Sequence, residues 1–390
     1  MPDMADMRPT VASIMETEPD QPKSPLAASM SRNARKRPLP PLLIAGPFPP
    51  PVHGFSVITA AMSAEIAQLR DVELCDLSSA HPAAIARNLA QAGKCLRTMA
   101  RIIGFRLRGG RAASIGANGG WGMLYTLGLV AAARASGLKM FLHHHSYAYI
   151  DRRSGLMATL CAIGGARLQH VFLAQSMQEA FFARYPQKSA ALLLPNAIFV
   201  PTRPTRATRS AGRIRVGLLS NLGPEKGLYD FIETARQVKA AQLPVEMLLA
   251  GPVPRPQDAE AINAAEAEGL LRALGPLYGK DKYAFFQKLD LFLFPTRYLN
   301  EAQPTVIYEA LAAGVPVLAF ARGAIADQVR DCLPSLPLET VFASAALAAI
   351  HDYALLPAGE RDRISALASA RHAEDREQGR QTIRFLANVG

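Results

Sequence analysis

The stretch Leu289–Phe320, LDLFLFPTRYLNEAQPTVIYEALAAGVPVLAF, decides the fold of this chain. Its pattern predicts a strand, a loop, a helix and a second strand, in that order. Pro304 suits the first turn of a helix, where its missing N–H is not needed, and Gly314 followed by Pro316 ends that helix. The predicted helix therefore runs from Pro304 to Ala313.

The same alternation of short apolar strands and longer helical segments extends to both sides of this stretch. One series runs from PLLIAG at residues 41–46 to ALLLPN at residues 191–196, and a second starts with RIRVGLLS at residues 213–220. Such alternation is typical of parallel α/β sheets. The sequence thus predicts an α/β fold with two doubly wound, Rossmann-like domains that face a central cleft, where ligands of such folds bind.

Composition sets the expected limits of these domains. Residues 1–38 are rich in Met, Pro, Ser and charge without hydrophobic periodicity, so we expect a disordered tail. Residues 201–213, PTRPTRATRSAGR, have no apolar face and predict a linker. The Rossmann-like domains are expected at 39–200 and 214–375, with a charged C-terminal helix at 376–390.

Overall composition indicates which partners, cysteine chemistry and cellular location to expect. The formal net charge of +11 favours anionic partners wherever the charge clusters. The four cysteines include no Cys-x-x-Cys pair, so neither a disulfide framework nor a zinc finger is expected, and a cytoplasmic location fits. The first residues lack the basic cap and apolar run of a secretory signal, so we expect no export.

Two acids frame the start of the predicted helix. Glu301 lies in the preceding loop and Glu309 inside the helix, so both can face the cleft. Carboxylates accept hydrogen bonds from hydroxyls and suit a sugar and a ribose. The exposed amides of Gln303, Thr305 and Val306, together with the helix dipole, suit a phosphate between them. This order predicts a nucleotide sugar as ligand; the alternative is a surface helix with two solvated glutamates.

The run NEAQPTVIYEALAAGVPVLA at 300–319 resembles the Glu-x7-Glu signature of retaining GT-B glycosyltransferases, especially glycosyltransferase family 4, the glycosyl transferases group 1. The segment SNLGPEKGLYDFIETA from Ser220 is similar to the loop that opens the second domain in that family, and GPFPPPVHGFS from Gly46 resembles its first loop more loosely. The resemblance spans about residues 40–375. It implies a retaining glycosyltransferase that moves a sugar from a nucleoside diphosphate sugar to a hydroxyl acceptor and needs no metal or other cofactor.

The resemblance also implies roles for single residues. Lys226 is assigned to the donor diphosphate and Glu301 to sugar hydroxyls, both as catalytic candidates, and Glu309 is assigned to the ribose. Relatives often carry Arg where this chain has Asn221, which can donate a hydrogen bond but brings no charge. The helix start of Gln303, Pro304, Thr305 and Val306 completes the predicted donor site.

On the N-terminal side, His143, His144 and His145 end a predicted strand, so the first and third face one side and the second the other. Relatives often have a histidine before a small residue near the donor sugar, and His145 matches best, as a catalytic candidate. A plain buried or capping histidine is the alternative. We predict no metal site, because adjacent histidines on a strand cannot all converge on one ion.

Gly54 lies in the loop after the first strand, where a helix start can bring backbone amides close to a phosphate. It is a further candidate for donor binding, and a tight turn without a ligand is the alternative.

The stretch 94–111, KCLRTMARIIGFRLRGGR, carries six basic residues and no acid. Such a basic amphipathic helix can lie on anionic lipid, which would place a cytoplasmic enzyme peripherally at the inner face of the membrane. The alternative is a solvated outer helix over a buried apolar face. No stacking aromatic residues accompany the charge, so nucleic acid is not an expected partner.

The expected acceptor is therefore a saccharide or lipid-linked saccharide, in cell-surface polysaccharide or glycolipid assembly. Two rival hypotheses remain from the sequence. One is a sugar-nucleotide 2-epimerase of the same architecture. The other is a catalytically silent homologue that binds a membrane or partner, which the missing Arg at position 221 favours.

Overall fold

The computed structural model describes residues 39–52, 54–79, 84–187, 189–202 and 213–389. The predicted tail at 1–38 and most of the predicted linker, residues 203–212, lie outside the described residues. The described chain forms two parallel sheets flanked by helices, so the predicted α/β class is confirmed.

The first sheet has six strands, all paired in parallel, in the order β2-β1-β3-β4-β5-β6. They are β1 Leu42–Gly46, β2 Val72–Asp76, β3 Ala112–Ala117, β4 Lys139–His144, β5 Leu168–Phe172 and β6 Ala191–Leu193. The helices that connect them are α1 Gly54–Ala67, α2 Ala84–Leu107, α3 Met123–Ala135, α4 Ala148–Asp151, α5 Gly155–Gly164 and α6 Gln175–Arg184.

The second sheet has five parallel strands in the order β11-β10-β7-β8-β9. They are β7 Ile214–Leu219, β8 Val245–Ala250, β9 Arg272–Ala273, β10 Leu291–Phe294 and β11 Val317–Ala319. The helices are α7 Leu228–Ala240, α8 Pro256–Ala267, α9 Gly279–Lys288, α10 Thr305–Ala312, α11 Ile325–Val329, α12 Phe342–Leu355 and α13 Ala358–Asn388.

The stretch that decides the fold forms β10, α10 and β11. Every residue of β10 is buried, because helices cover both faces of a parallel sheet and leave no polar side. Pro304 is the N-cap of α10, and the helix ends at Ala312, within one residue of the predicted limits.

The C-terminal helix differs from the expected one at 376–390. It begins at Ala358, so the predicted boundary between 375 and 376 falls inside α13. Its second half packs against the first sheet's domain: Thr382 donates a hydrogen bond to the Leu193 carbonyl and Arg376 to the Ile198 carbonyl. Charge alone did not reveal this start, because the helix buries one side along its whole length while its other side stays polar.

The carboxyl ends of the strands position the loops that matter for function. The loops after β1 and β4 lie at this edge of the first sheet, and those after β7 and β10 at this edge of the second. None of the helices in the described part of the chain is long and apolar enough to cross a membrane.

Candidate functional site

Lys226 and Glu301 form an ion pair in the cleft. The Lys226 Nζ lies 2.5 Å from Glu301 Oε2, and both side chains are mostly buried, at 24% and 12% exposure. Thr296 Oγ1 donates a second hydrogen bond to the same oxygen at 3.2 Å. The ammonium also lies 4.4 Å from the ring centroid of Tyr298, a cation–π contact. The structure therefore brings together two predicted site residues that are 75 positions apart in the chain.

Two glycines allow the loops that carry this pair to approach closely. Gly227 has φ +80°, and a Cβ there would lie 2.3 Å from the Pro295 side chain, so only glycine lets the loop after β7 pass the loop after β10. Gly323 has φ +61° and lies against the backbone carbonyl of Glu301 in the same way. The Arg297 amide also donates to the Glu225 carbonyl at 2.8 Å. Backbone contacts thus fix where Lys226 and Glu301 meet.

Glu309 also pairs with a lysine, which the sequence did not single out. Lys282 of α9 places its Nζ 2.7 Å from Glu309 Oε1 and 2.5 Å from Oε2. Burial raises the pKa of the Glu309 carboxyl above its ordinary value, and the Lys282 ammonium lowers it in part. Removal of the lysine would leave a partly buried carboxylate without its counter-charge.

The start of α10 lies between the two pairs along the chain. Thr305 and Val306 are half-buried in its first turn, where N–H groups have no partner inside the helix. Beneath them, the Tyr308 hydroxyl donates to Asp375 Oδ2 at 2.7 Å, and Arg371 forms an ion pair with the same carboxylate. The helix that offers amides to a ligand is therefore anchored to α13.

Gln303 has a role that its predicted place at the helix start did not reveal. Its side chain is buried and bridges the two domains: its Nε2 donates to the Leu173 carbonyl at 2.8 Å, and its Oε1 accepts from the Asn196 amide at 2.7 Å. Asn196 Nδ2 donates in turn to the Gln303 carbonyl at 2.7 Å. The loop before α10 is thereby connected to the first sheet's domain at the base of the cleft.

Two further contacts hold the domains in the same arrangement. Arg322 Nη2 lies 2.6 Å from Asp151 Oδ2, and the Ser176 amide donates to Asp327 Oδ2 at 3.1 Å. In each of these contacts the acid lies in one domain and its partner in the other. Opening the cleft would therefore break both contacts.

On the N-terminal side, the alternation predicted for the three histidines is confirmed. The rings of His143 and His145 are stacked, with centroids 6.3 Å apart, while His144 points to the other side of the sheet. His145 is half-buried against Phe55, with ring centroids 4.5 Å apart. Burial lowers the pKa of His145 to about 4, so the imidazole is neutral at pH 7.

His144 starts a buried hydrogen-bonded chain. Its Nδ1 lies 2.9 Å from the Tyr149 hydroxyl and its Nε2 lies 2.8 Å from His170 Nδ1. His170 Nε2 lies 2.8 Å from the side-chain amide nitrogen of Gln187. Burial lowers the pKa of His170 to about 4 and that of His143 to about 3, and it lowers the pKa of His144 as well. We call His143, His144, His145 and His170 the histidine cluster.

The remaining predicted residues lie at the edges of the cleft. Gly54 is the first residue of α1 and is exposed, and a Cβ there would meet nothing within 4 Å. Its neighbour Phe55 contacts His145, so Gly54 lies beside the histidine cluster. Asn221 is exposed in the loop after β7, five residues before Lys226. No contact among the described residues joins His145 to either Lys–Glu pair.

Sequence reasoning missed Lys282, Thr296 and Tyr298. Lys282 lies in the charged segment GKDK, which reads as an ordinary solvated helix start, and no spacing rule connects it to Glu309. Thr296 and Tyr298 lie in the loop after β10, and their closeness to Glu301 in the sequence was the signal that could have identified them. Within the described ranges, no three His, Cys, Asp or Glu side chains are grouped as a metal site would need.

Residues 213–352 match the family model described as Glycosyl transferases group 1. None of the curated proteins compared with the chain matches it.

Several solved structures share its fold. HepE of Anabaena in complex with UDP is 16% identical with a TM-score of 0.62, over 90% of this chain and 100% of HepE. The lipopolysaccharide outer core galactosyltransferase WaaB in its apo form is 12% identical with a TM-score of 0.64, over 88% of this chain and 99% of WaaB. The pneumococcal O-GlcNAc transferase GtfA in complex with UDP and GlcNAc is 14% identical with a TM-score of 0.53; the match covers 74% of this chain and only 60% of GtfA.

Proposed function

We propose that this chain, which has the GT-B fold and whose residues 213–352 match the model of the glycosyl transferases group 1, is a retaining, metal-independent glycosyltransferase that transfers a sugar from a nucleoside diphosphate sugar to a hydroxyl acceptor. The observation that carries the proposal is the pair of Lys–Glu contacts, Lys226 with Glu301 and Lys282 with Glu309, before and within α10.

Each pair offers complementary groups to one part of such a donor. A lysine ammonium binds phosphate oxygens, and a carboxylate accepts hydrogen bonds from vicinal hydroxyls. In the free protein the four side chains neutralise one another, which stabilises two carboxylates in a partly buried site. A donor diphosphate draws the ammonium groups away, so that Glu301 binds the sugar hydroxyls and Glu309 binds the ribose.

The chemistry follows from the charge that develops during transfer. As the bond between sugar and phosphate lengthens, the anomeric carbon becomes cationic and the leaving diphosphate gains negative charge. Lys226 and the N–H groups of Thr305 and Val306 stabilise that charge in a site arranged before the reaction. Positive charge from lysine and a helix start performs the task that a metal ion performs elsewhere, so transfer should continue in the presence of a chelator.

Lys282 can compensate for Asn221, which stands where relatives often have Arg. Family relatives often have a second cation there, and its absence favoured a catalytically silent homologue. Lys282 brings a second ammonium group beside Glu309, on the same side of the cleft as Lys226. We assign it to the nucleotide's diphosphate, so that the chain has two cations for the leaving group despite Asn221.

His145 lies on the N-terminal side of the cleft, across from the two Lys–Glu pairs. Its neutral ring can accept or donate one hydrogen bond, which suits a sugar hydroxyl better than a phosphate. With the leaving phosphate as the group that takes the proton of the acceptor hydroxyl, retention needs no protein nucleophile. His145 and the carboxylates then position the reactants rather than react with them.

The proposed setting is cell-surface polysaccharide or glycolipid assembly, at the cytoplasmic face of a membrane. WaaB, which shares the fold, is a lipopolysaccharide outer core galactosyltransferase, and this supports a saccharide or lipid-linked saccharide as acceptor. The net charge of +11 supports a place beside anionic lipid.

Thermal unfolding with UDP, GDP and ADP tests the donor assignment, followed by product analysis with the corresponding nucleotide sugars. UDP is first in order because HepE and GtfA were solved with it. We expect one diphosphate to stabilise the protein, by about 2.7 kcal/mol at a concentration of about 100 times Kd. Glu309→Ala should abolish the shift and the transfer, because the ribose loses its acceptor and Lys282 loses its counter-charge.

The control variant is Glu268→Ala, whose carboxylate is 53% exposed on the surface and should respond like the wild type. The donor assignment is wrong if no nucleoside diphosphate stabilises the folded wild type, or if Glu309→Ala keeps the full shift. A product with an epimerised sugar and no acceptor would identify the 2-epimerase instead.

A further inference from the structure

The solvent-facing side of α2 is apolar. Leu89, Leu96, Ile103 and Leu107 are 69%, 67%, 52% and 83% exposed. Their spacing of seven, seven and four residues places them within about 40° of one line along the helix. Ile102 and Phe105, by contrast, belong to the core on the opposite side. A helix that only covers a sheet exposes polar residues at the centre of its outer side, so this arrangement is unusual. We call these four residues the α2 stripe.

Arginines border the α2 stripe along both edges. Arg97, Arg101 and Arg108 follow one edge and Arg106 the other, and α2 contains no Asp or Glu. The helix therefore presents an apolar line between a row of three arginines on one edge and Arg106 on the other.

Ion pairs with the edge strand hold part of this border in place. Arg101 and Arg108 both pair with Glu73 of β2, and Lys94 pairs with Asp76 at 2.6 Å. The Arg101 and Arg108 side chains remain 48% and 62% exposed. Basic residues thus flank the exposed centre of the helix, and leucines and isoleucine occupy it.

We propose that the α2 stripe docks on an anionic lipid bilayer, with its apolar side chains among the acyl chains and the bordering arginines at the phosphates of the headgroups. A bilayer surface has this layout, since its apolar layer lies directly beneath a plane of negative charge. A second copy of the chain fits less well, because face-to-face contact would bring the arginines of two α2 helices together.

The position of α2 connects this surface to the cleft. The helix follows β2, so it begins at the carboxyl edge of the sheet, where the cleft lies. At that end the Tyr125 hydroxyl donates to the Asn88 carbonyl, and Trp121 and Leu124 are 84% and 46% exposed nearby in sequence. Docking would bring the mouth of the cleft to the headgroups. The benefit for a lipid-linked acceptor rests on the proposed function, whereas docking itself is measured without it.

Vesicle co-sedimentation of the full chain tests the proposal. Vesicles of equal parts phosphatidylcholine and phosphatidylglycerol should bind the wild type, and vesicles of phosphatidylcholine alone should not. Leu96→Ser with Ile103→Ser should weaken binding about 100-fold, because two side chains no longer enter the apolar layer. Leu355→Ser, at a residue 72% exposed on α12, is the matched control and should bind like the wild type.

The contribution of the arginines on the two edges of the α2 stripe is tested separately. Arg97→Gln with Arg106→Gln should weaken binding to the anionic vesicles roughly fivefold for each arginine, and added salt should do the same to the wild type. Circular dichroism and the thermal shift with nucleoside diphosphate establish that each variant is folded and binds donor. A variant that binds donor but not vesicles supports docking, and the same readout separates docking from the donor assignment.

The proposal is overturned if the folded wild type binds neither kind of vesicle, or if the Leu96→Ser, Ile103→Ser variant binds the anionic vesicles as well as the wild type does. It is also overturned if size-exclusion chromatography shows a dimer that these two substitutions dissociate, because a second copy would then occupy the α2 stripe.

Discussion

The C-terminal side of the cleft carries full charges in pairs, Lys226 with Glu301 and Lys282 with Glu309, whereas the N-terminal side carries the histidine cluster, whose members are held neutral by burial. The difference separates two tasks. Charged pairs can exchange partners with a charged ligand such as a diphosphate, while neutral imidazoles offer hydrogen bonds of fixed direction to uncharged hydroxyls. We infer that the donor's phosphates bind only to the C-terminal side of the cleft, and that His145 contacts sugar hydroxyls from the N-terminal side.

Among the tests of this difference between the two sides of the cleft, substitution of Lys226 should have the largest effect on transfer. Lys226→Met removes the positive charge that contacts the leaving diphosphate. It also leaves Glu301 unpaired beside the donor's phosphates. We expect kcat/KM for transfer to fall by about 100-fold, equivalent to about 2.7 kcal/mol. Lys280→Met changes an exposed lysine of α9 and should leave kcat/KM unchanged. A fall of less than about threefold for Lys226→Met would show that the charged pairs do not serve the reaction.

Lys282 should have a smaller effect that depends on the ligand's charge. Lys282→Met should weaken binding of a nucleoside diphosphate about tenfold and change binding of the uncharged nucleoside much less, because the lost contact is to phosphate. Isothermal titration of both ligands against wild type and variant measures the difference. Equal losses for the two ligands would mean that Lys282 only orients Glu309.

The histidine cluster predicts a loss of stability in mild acid. The folded pKa values of His143, His145 and His170, about 3 to 4, and the lowered pKa of His144 lie below the ordinary value near 6.5, so the unfolded chain binds more protons as pH falls below about 6.5. Stability should therefore fall between pH 6.5 and 4. Glu309 and Asp375, whose pKa values are raised by burial, act in the opposite direction but are fewer than the histidines.

Denaturant unfolding at pH 7 and pH 5.5 measures this slope. His170→Asn should reduce the loss between the two pH values by about 1 kcal/mol, because one buried neutral imidazole no longer resists protonation. His351→Asn, at a histidine 54% exposed on α12, is the control and should keep the wild-type slope. A His170→Asn slope equal to that of the wild type would contradict the neutral histidine cluster.

Much of the architecture was predictable from local pattern. The strand, loop, helix and strand at Leu289–Phe320 have limits that Pro304 and Gly314 set within the segment itself, and the structure confirms them within about one residue. The start of α13 was not predictable, because its first half is held by contacts to residues far away in the chain: Ser365 donates to the Gly314 carbonyl, and Arg371 pairs with Asp331.

The candidate site divides in the same way. Glu301, Glu309 and Lys226 belong to motifs whose residues lie close together in sequence. Lys282 has no such motif, and the bridging side chain of Gln303 becomes visible only when Leu173 and Asn196 are placed beside it. Their roles depend on contacts between segments that composition and spacing do not connect.

The sequence by itself determined the α/β class, the two acids around α10 and the lysine that follows β7, because apolar periodicity and motif spacing act over a few residues. Only the tertiary structure decided which charges meet and which side of α2 faces outward. Lys226 reaches Glu301 across 75 positions because Gly227 lets two loops pass each other, and such close approaches are set by the packing of whole sheets.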